Sequence, residues 1–266
     1  MESRHKRIIQ KTYRKTHIQN MKKLLLIVLT VMVLILPCLG CNKDDKSTII
    51  PTDATWPPFE YVDTSTGEIV GFDIDLFNEI SKRVGITPKY VNVTWDPLLA
   101  GIAQGTYKIS ISAITIKESR FDRMDFSIPY YTSGQVLVVR SDDKTIQSLS
   151  DCVGKTVGCE SGTTADDMIN AESDIKCAAY DDLGVGFTAL INKQLDAVLC
   201  DEPMALAYIK KGYELKTVGE IMTSEDYGIV YTKGYDPELQ RRIDEAISDI
   251  AEDGTYQKLL DKWGLK

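Results

Sequence analysis

Histidine is almost missing from this sequence. The 266 residues hold only His5 and His17, both within the first 20 positions. The rest of the chain therefore offers no imidazole for proton transfer or metal ligation. Cysteine is sparse as well. Cys152, Cys159, Cys177 and Cys200 show no C-x-x-C spacing, so linear spacing gives no metal site and no redox motif. No phosphate-cradling G-x-x-x-x-G-K-[ST] run occurs. Apolar runs are short: Leu24–Leu36 spans 13 residues, too few to cross a bilayer comfortably. Basic charge is outnumbered after position 40. Residues 1–40 carry eight basic residues and one acid, leaving 23 basic and 38 acidic residues, a net charge of −15. So acidic a surface argues against nucleic acid as a partner and is compatible with solubility outside the cell.

What is present begins with a basic segment, residues 1–20, followed by Met21-Lys22-Lys23 and the Leu24–Leu36 run. The first 20 residues read either as an anionic-surface arm or as an overlong start before the true initiation at Met21. Residues 21–40 then form a signal peptide. Gly40 precedes Cys41, the arrangement cut in lipoproteins, and 41–46 is a polar tether. Diacylation of Cys41 would supply the two chains that stable anchoring needs. The competing reading is an uncleaved anchor or an ordinary secreted protein. The four later cysteines, three of them in or beside apolar strand-like segments, read equally as buried thiols or as bridges.

The body of the chain alternates strand and helix signals, which predicts an α/β fold. Thr48–Ile50 and Tyr90–Val93 read as strands, with a helix ending at Gly85 between them. Asp73 and Asp75 read as capping and structural acids. Ile109–Ile114 alternates as a strand, and Thr115-Ile-Lys-Glu118 is a capping-box pattern predicting a short helix that ends near Met124-Asp125. Arg120 would lie in its first turn, making a site for a carboxylate-sized anion. Thr132–Arg140, Thr156–Cys159, Ile175–Tyr180 and Gln194–Pro203 read as strands, and Leu183–Ile191 as a helix. Thr163-Thr-Ala-Asp166 is a second capping box, giving another anion-attracting helix start. Leu239–Trp263 is helical with a break at Gly254.

The combination Ala113-Ile-Thr-Ile116, Arg120 and Asp125-Phe-Ser-Ile-Pro-Tyr-Tyr131 resembles the amino-acid-binding proteins of bacterial ABC importers, such as the glutamine-binding and lysine/arginine/ornithine-binding proteins. The resemblance covers nearly everything after about residue 47, including Glu160-Ser-Gly162 and the ending Gly254–Gly264. It implies a two-lobed α/β fold of the periplasmic-binding-protein type II, with lobe 1 at 47–133 and 227–266 and lobe 2 at 134–226. Two hinge strands would join the lobes, and the ligand would sit between them.

Residue by residue, the resemblance implies that Arg120 holds an α-carboxylate, helped by the N–H groups of Thr115 and Thr164 at helix starts that include Thr163. Asp201, the Thr115 hydroxyl and the Ala113 carbonyl would hold the α-ammonium. Trp56 and Trp95 would flank the side chain, with Asp53 and Glu160 toward its far end. Spacing alone leaves Asp201 open as a solvated carboxylate or helix cap, Trp56 as core, and Glu160 as pointing to solvent or to Lys155. Two acids and two indoles would suit a cationic side chain, arginine or lysine; glutamine, cystine or another polar amino acid remain alternatives. The partners implied are a free amino acid, ABC permease subunits and, through the lipid anchor, the membrane. A monomer without metal or cofactor is expected. An enzyme on the same scaffold, resembling cyclohexadienyl dehydratase, would need Glu160 as general acid. A receptor's sensing module is a third reading.

Overall fold

A computed structural model describes residues 47–266, which form one compact unit; the basic start, the signal segment, Cys41 and the tether lie outside the described residues. The fold is built around two groups of strands. The first opens with β1 (Ser47–Thr52) and continues through the short strands β2 (Thr55–Trp56), β3 (Glu60–Val62) and β4 (Ile69–Val70). Helix α1 (Phe72–Val84) follows, then β5 (Thr87–Asn92), helix α2 (Trp95–Ala103), β6 (Ile109–Ser110) and β7 (Met124–Phe126). Strands β1 and β5 pair in parallel, so a helix must cross between them, and α1 does so.

Helix α1 buries Phe72, Leu76, Phe77, Ile80 and Val84 along one apolar face. It stops at Gly85, which takes the left-handed conformation (φ 75°). Its start requires Gly71. A Cβ there would lie 1.9 Å from the Phe59 carbonyl oxygen, and φ is +147°. Neither Asp73 nor Asp75 caps this helix through its side chain. Asp73 is instead buried and accepts from the Ala113 N–H (2.8 Å) and the Tyr130 hydroxyl (2.7 Å).

The second group is a five-stranded sheet formed from β9 (Gln135–Arg140), β10 (Thr156–Glu160), β11 (Lys176–Tyr180), β12 (Ala197–Asp201) and β13 (Leu215–Val218) in the order β11-β10-β12-β9-β13. Helices α3 (Thr164–Asn170), α4 (Leu183–Ile191) and α5 (Glu202–Lys210) pack on it. Between the two groups run β8 (Tyr131–Ser133) and β14 (Glu225–Tyr227), paired antiparallel. The chain then returns to the first group through β15 (Val230–Thr232), which lies between β6 and β7. It finishes with α6 (Pro237–Glu252) and α7 (Thr255–Trp263), separated by Gly254 at φ 78°. The architecture is thus two lobes of mixed helix and sheet.

Three local expectations are corrected. The segment after Thr115 is not a capped helix but a single 3-10 turn, Glu118–Arg120, with no side-chain cap. The backbone before it stays extended because it pairs with the returning chain: the Ile116 N–H donates to Asp226 O (2.7 Å) and the Gly228 N–H to Ile114 O (3.0 Å). For the same reason Met124 and Asp125 belong to a strand, β7, and do not end a helix. The Ile109–Ile114 alternation yields only two residues of strand, since the chain turns at Ala113 (φ 46°). The Thr132–Arg140 run divides at Gly134, where a Cβ would meet Thr223 O at 2.3 Å.

Candidate functional site

The ends of several strands and helices from both lobes meet at one cavity of about 460 Å³. Asp53 lies just past β1, Trp95 begins α2, Glu160 ends β10 and Asp201 ends β12. Crevices at strand C-termini are where open α/β sheets present their binding groups. All ten residues singled out from the sequence line this cavity: Asp53, Trp56, Trp95, Ala113, Thr115, Arg120, Glu160, Thr163, Thr164 and Asp201. Among the described residues that line it, Arg120 is the only basic one.

Arg120 is held by its own loop. Its Nη1 donates to the Thr115 carbonyl (2.8 Å), and its guanidinium lies 5.4 Å over the Trp95 ring. These contacts leave most of its five N–H donors for a ligand. Burial lowers its pKa, opposed by the charges of Asp167 and Glu225. Trp95 also crosses the cleft, donating from Nε1 to Gly162 O (3.1 Å). Lys117 forms an ion pair with Asp167 across the same boundary. Glu225, on β14, joins the lobes further. Its Oε2 accepts from the hydroxyls of Thr115 (3.0 Å) and Thr164 (2.7 Å), and its Oε1 from Thr223 (2.8 Å). The two lobes are therefore described in a closed arrangement.

The acids are buried rather than solvated. Asp201 is 6 % exposed and Glu160 is 2 % exposed, which removes the solvent-facing readings of both. Asp201 occupies the N-cap position of α5 without a side-chain cap bond; it accepts instead from Gln135 Nε2 and the Tyr227 hydroxyl. Burial pushes its pKa up to about 7. Burial, then the charges of Asp53, Asp182 and Asp201, push Glu160 up to about 9. Asp53 rises to about 6, again mainly through burial, although the Thr55 hydroxyl donates to its Oδ1 (2.9 Å). A cation placed among these acids would favour their ionised forms and lower the raised values.

Four buried acceptor oxygens of cavity-lining residues have no hydrogen-bond partner, Asp53 Oδ2, Glu60 Oε2, Gln135 Oε1 and Glu160 Oε2, and neither has the Trp56 Nε1 donor. Ala113 sits among them in a left-handed conformation, fixed by the bond from its N–H to Asp73. Such strain in a non-glycine residue persists only where its surroundings enforce it. At the start of α3, Thr163 Oγ1 accepts from the Asp166 N–H, as the capping pattern predicts. The reciprocal half of that box is missing, because the Asp166 carboxylate turns to the Gly162 N–H (2.9 Å).

Sequence reasoning missed Glu60, Ser112, Gln135, Ala165, Leu199 and Cys200, which also line the cavity. One of them carried a readable signal. Gln135 opens an otherwise apolar strand, Gln-Val-Leu-Val-Val, and a polar side chain in a buried strand needs a reason. Ser112 and Glu60, linked by a 3.0 Å bond across 52 residues, carried none.

The profile of the bacterial extracellular solute-binding proteins, family 3, matches residues 48–266. This chain belongs to that family. Among its relatives, ABC transporter arginine-binding protein 1 of Escherichia coli is 31 % identical over 79 % of this chain and 87 % of its own. The L-cystine-binding protein TcyJ of Escherichia coli is 29 % identical, covering 83 % of this chain and 84 % of its own. In structure, the arginine-, lysine-, histidine-binding protein ArtJ of Geobacillus stearothermophilus superposes with a TM-score of 0.76 at 31 % identity, over 82 % of this chain and 95 % of that one. Family-3 membership places the chain outside the cytoplasm.

Proposed function

We propose that this family-3 protein captures a free amino acid with a cationic side chain, arginine before lysine, and delivers it to an ABC permease. One observation carries the choice: Asp53 Oδ2, Glu60 Oε2, Gln135 Oε1 and Glu160 Oε2 are buried acceptors that no protein donor satisfies. A guanidinium brings five N–H donors and no acceptor. Arg120 on one side and Asp201 on the other are suited to the α-carboxylate and α-ammonium of a zwitterion, with the Ala113 carbonyl beside them. Trp56 and Trp95 supply aromatic faces for the side chain. The arginine-binding relatives support the same reading.

Cystine is the nearest competitor, because a cystine-binding relative is of similar likeness. Its second ammonium would suit Asp53 and Glu160, but its second carboxylate would meet those acids with no cation to receive it. Calorimetry of residues 47–266 with the twenty amino acids, ornithine and cystine tests the assignment. Arginine should bind most tightly, with lysine and ornithine following. Tight binding of a neutral, acidic or cystine ligand together with no response to arginine or lysine would overturn it.

Burial and the neighbouring acids raise the Glu160 pKa to about 9, and a raised carboxyl is also what a general acid requires. That keeps a dehydratase-like activity as a second reading. Incubation with prephenate or arogenate should give no aromatic product if binding is the whole function. Closure would turn about β8 and β14, with the lobes divided near residues 133 and 226. Cys41 would be diacylated and the mature protein monomeric; the intact mass of the exported protein and its light-scattering mass check both.

A further inference from the structure

Outside the cavity, on the far face of β10, lies a cluster that the amino-acid reading does not use. Cys159 on β10, Cys177 on β11 and Asp166 in α3 bring their ligand atoms together within 4.8 Å. The sulfur atoms are 3.3 Å apart. Asp166 Oδ1 lies 3.7 Å from Cys159 Sγ and 3.4 Å from Cys177 Sγ. The spacing along the chain concealed this set, because two parallel strands and the helix between them assemble it.

We propose that Cys159, Cys177 and Asp166 form a binding site for one thiophilic divalent cation, of the zinc or cadmium class. The geometry fits. A tetrahedral ion with metal–sulfur bonds of about 2.3 Å and a metal–oxygen bond of about 2.1 Å needs sulfur–sulfur and sulfur–oxygen edges of roughly 3.7 and 3.6 Å. The three observed edges, 3.3, 3.7 and 3.4 Å, each lie close to that. Cys159 is fully buried and Cys177 is half-buried, so the fourth position faces outward, where a water molecule can complete the shell. The carboxylate is already oriented. Asn170 Nδ2 donates to Oδ1 (2.7 Å) and the Gly162 N–H to Oδ2 (2.9 Å). Such support around a ligand is what fixes a metal site.

A disulfide is the rival use of two thiols. The strand register opposes it. Cys159 is paired with Ala179, and Cys177 with Val157, so the two cysteines are diagonal neighbours. Diagonal positions on paired strands lie about 7–8 Å apart, beyond the usual Cα span of a disulfide, roughly 4.4–6.8 Å. Metal binding needs no such approach: the ion enters as the two thiols release their protons to solvent. It would tie β10 and β11 to the first turn of α3, whose Thr163 and Thr164 line the ligand cavity.

The test uses residues 47–266, a compact unit by themselves, reduced with a phosphine and freed of metal. Cadmium is titrated while thiolate-to-metal absorption in the ultraviolet is followed, and native mass spectrometry counts ions. One ion per chain should bind with a charge-transfer band. Cys159→Ser and Cys177→Ser should each weaken binding by at least about 100-fold, and Asp166→Asn by about 10-fold or more. Cys152→Ser, a buried thiol outside the three-ligand set, should change nothing. If Cys159→Ser fails to fold, the more exposed Cys177→Ser carries the test. Three results would overturn the proposal: no band in the reduced protein, undiminished binding in Cys177→Ser, or an air-exposed protein about 2 Da lighter with both peptides linked. None of these readouts depends on which amino acid the cavity holds.

Discussion

Capture of a cationic amino acid by this cavity should release protons, and its strength should therefore rise with pH. Burial and the neighbouring carboxylates hold Glu160 up to about 9 against an ordinary value of 4.5. A guanidinium placed against it favours the ionised form, so the bound-state value falls back toward the ordinary range. Between those two values, binding must expel one proton. The dissociation constant should then fall about tenfold per pH unit, or about 100-fold from pH 6 to pH 8, equivalent to about 3 kcal/mol. Asp201, at about 7, and Asp53, at about 6, steepen the lower part of the curve. Isothermal titration of arginine at pH 6, 7 and 8 measures the slope. Repeating one titration in buffers of different ionisation enthalpy counts the protons. Glu160→Gln should weaken arginine binding and flatten the profile above pH 7. An affinity that changes less than about threefold over that range, with no buffer dependence, would refute the reasoning.

Other outcomes follow from the same geometry. The empty protein should melt higher at pH 5 than at pH 8: an acid whose folded pKa is raised gives stability that is whole below its unfolded value and is lost as pH climbs toward about 9. Scanning calorimetry without ligand reads this directly. Arg120→Met should leave a folded protein that binds amino acids about 100-fold or more weakly, since removing one partner of a buried charge pair costs roughly 3–5 kcal/mol. Unchanged capture by that variant would remove Arg120 from the site. Gly71→Ala should lower stability by about 3 kcal/mol or more in urea unfolding, because its Cβ has no room beside Phe59 O. Glu225→Gln should cost about 1–3 kcal/mol, measured the same way, through the three hydroxyls that donate to this carboxylate.

Much of this arrangement was legible before any coordinates, and the reason is local. Gly85 at the end of α1, the Thr163 cap of α3 and the bounds of α4 all follow from residues within one turn of each other. The segment from Thr115 to Asp125 was misread for the opposite reason. Its helix-like capping pattern is overruled by pairing with residues about 110 positions later. Recognition of Arg120, Asp201 and the two tryptophans came from motif likeness, and the cavity brings them together. The Glu225 bridge and the Cys159–Asp166–Cys177 cluster required the sheet order, since no window of sequence holds their partners side by side.

The bond from Trp95 Nε1 to Gly162 O spans the mouth of the cleft. If the jaws part, that indole exchanges the Gly162 carbonyl of the other lobe for water while keeping the Arg120 guanidinium of its own. Its emission must then shift, so the molecule carries an intrinsic optical gauge of its own opening. Stopped-flow fluorescence could time each capture without attaching a dye.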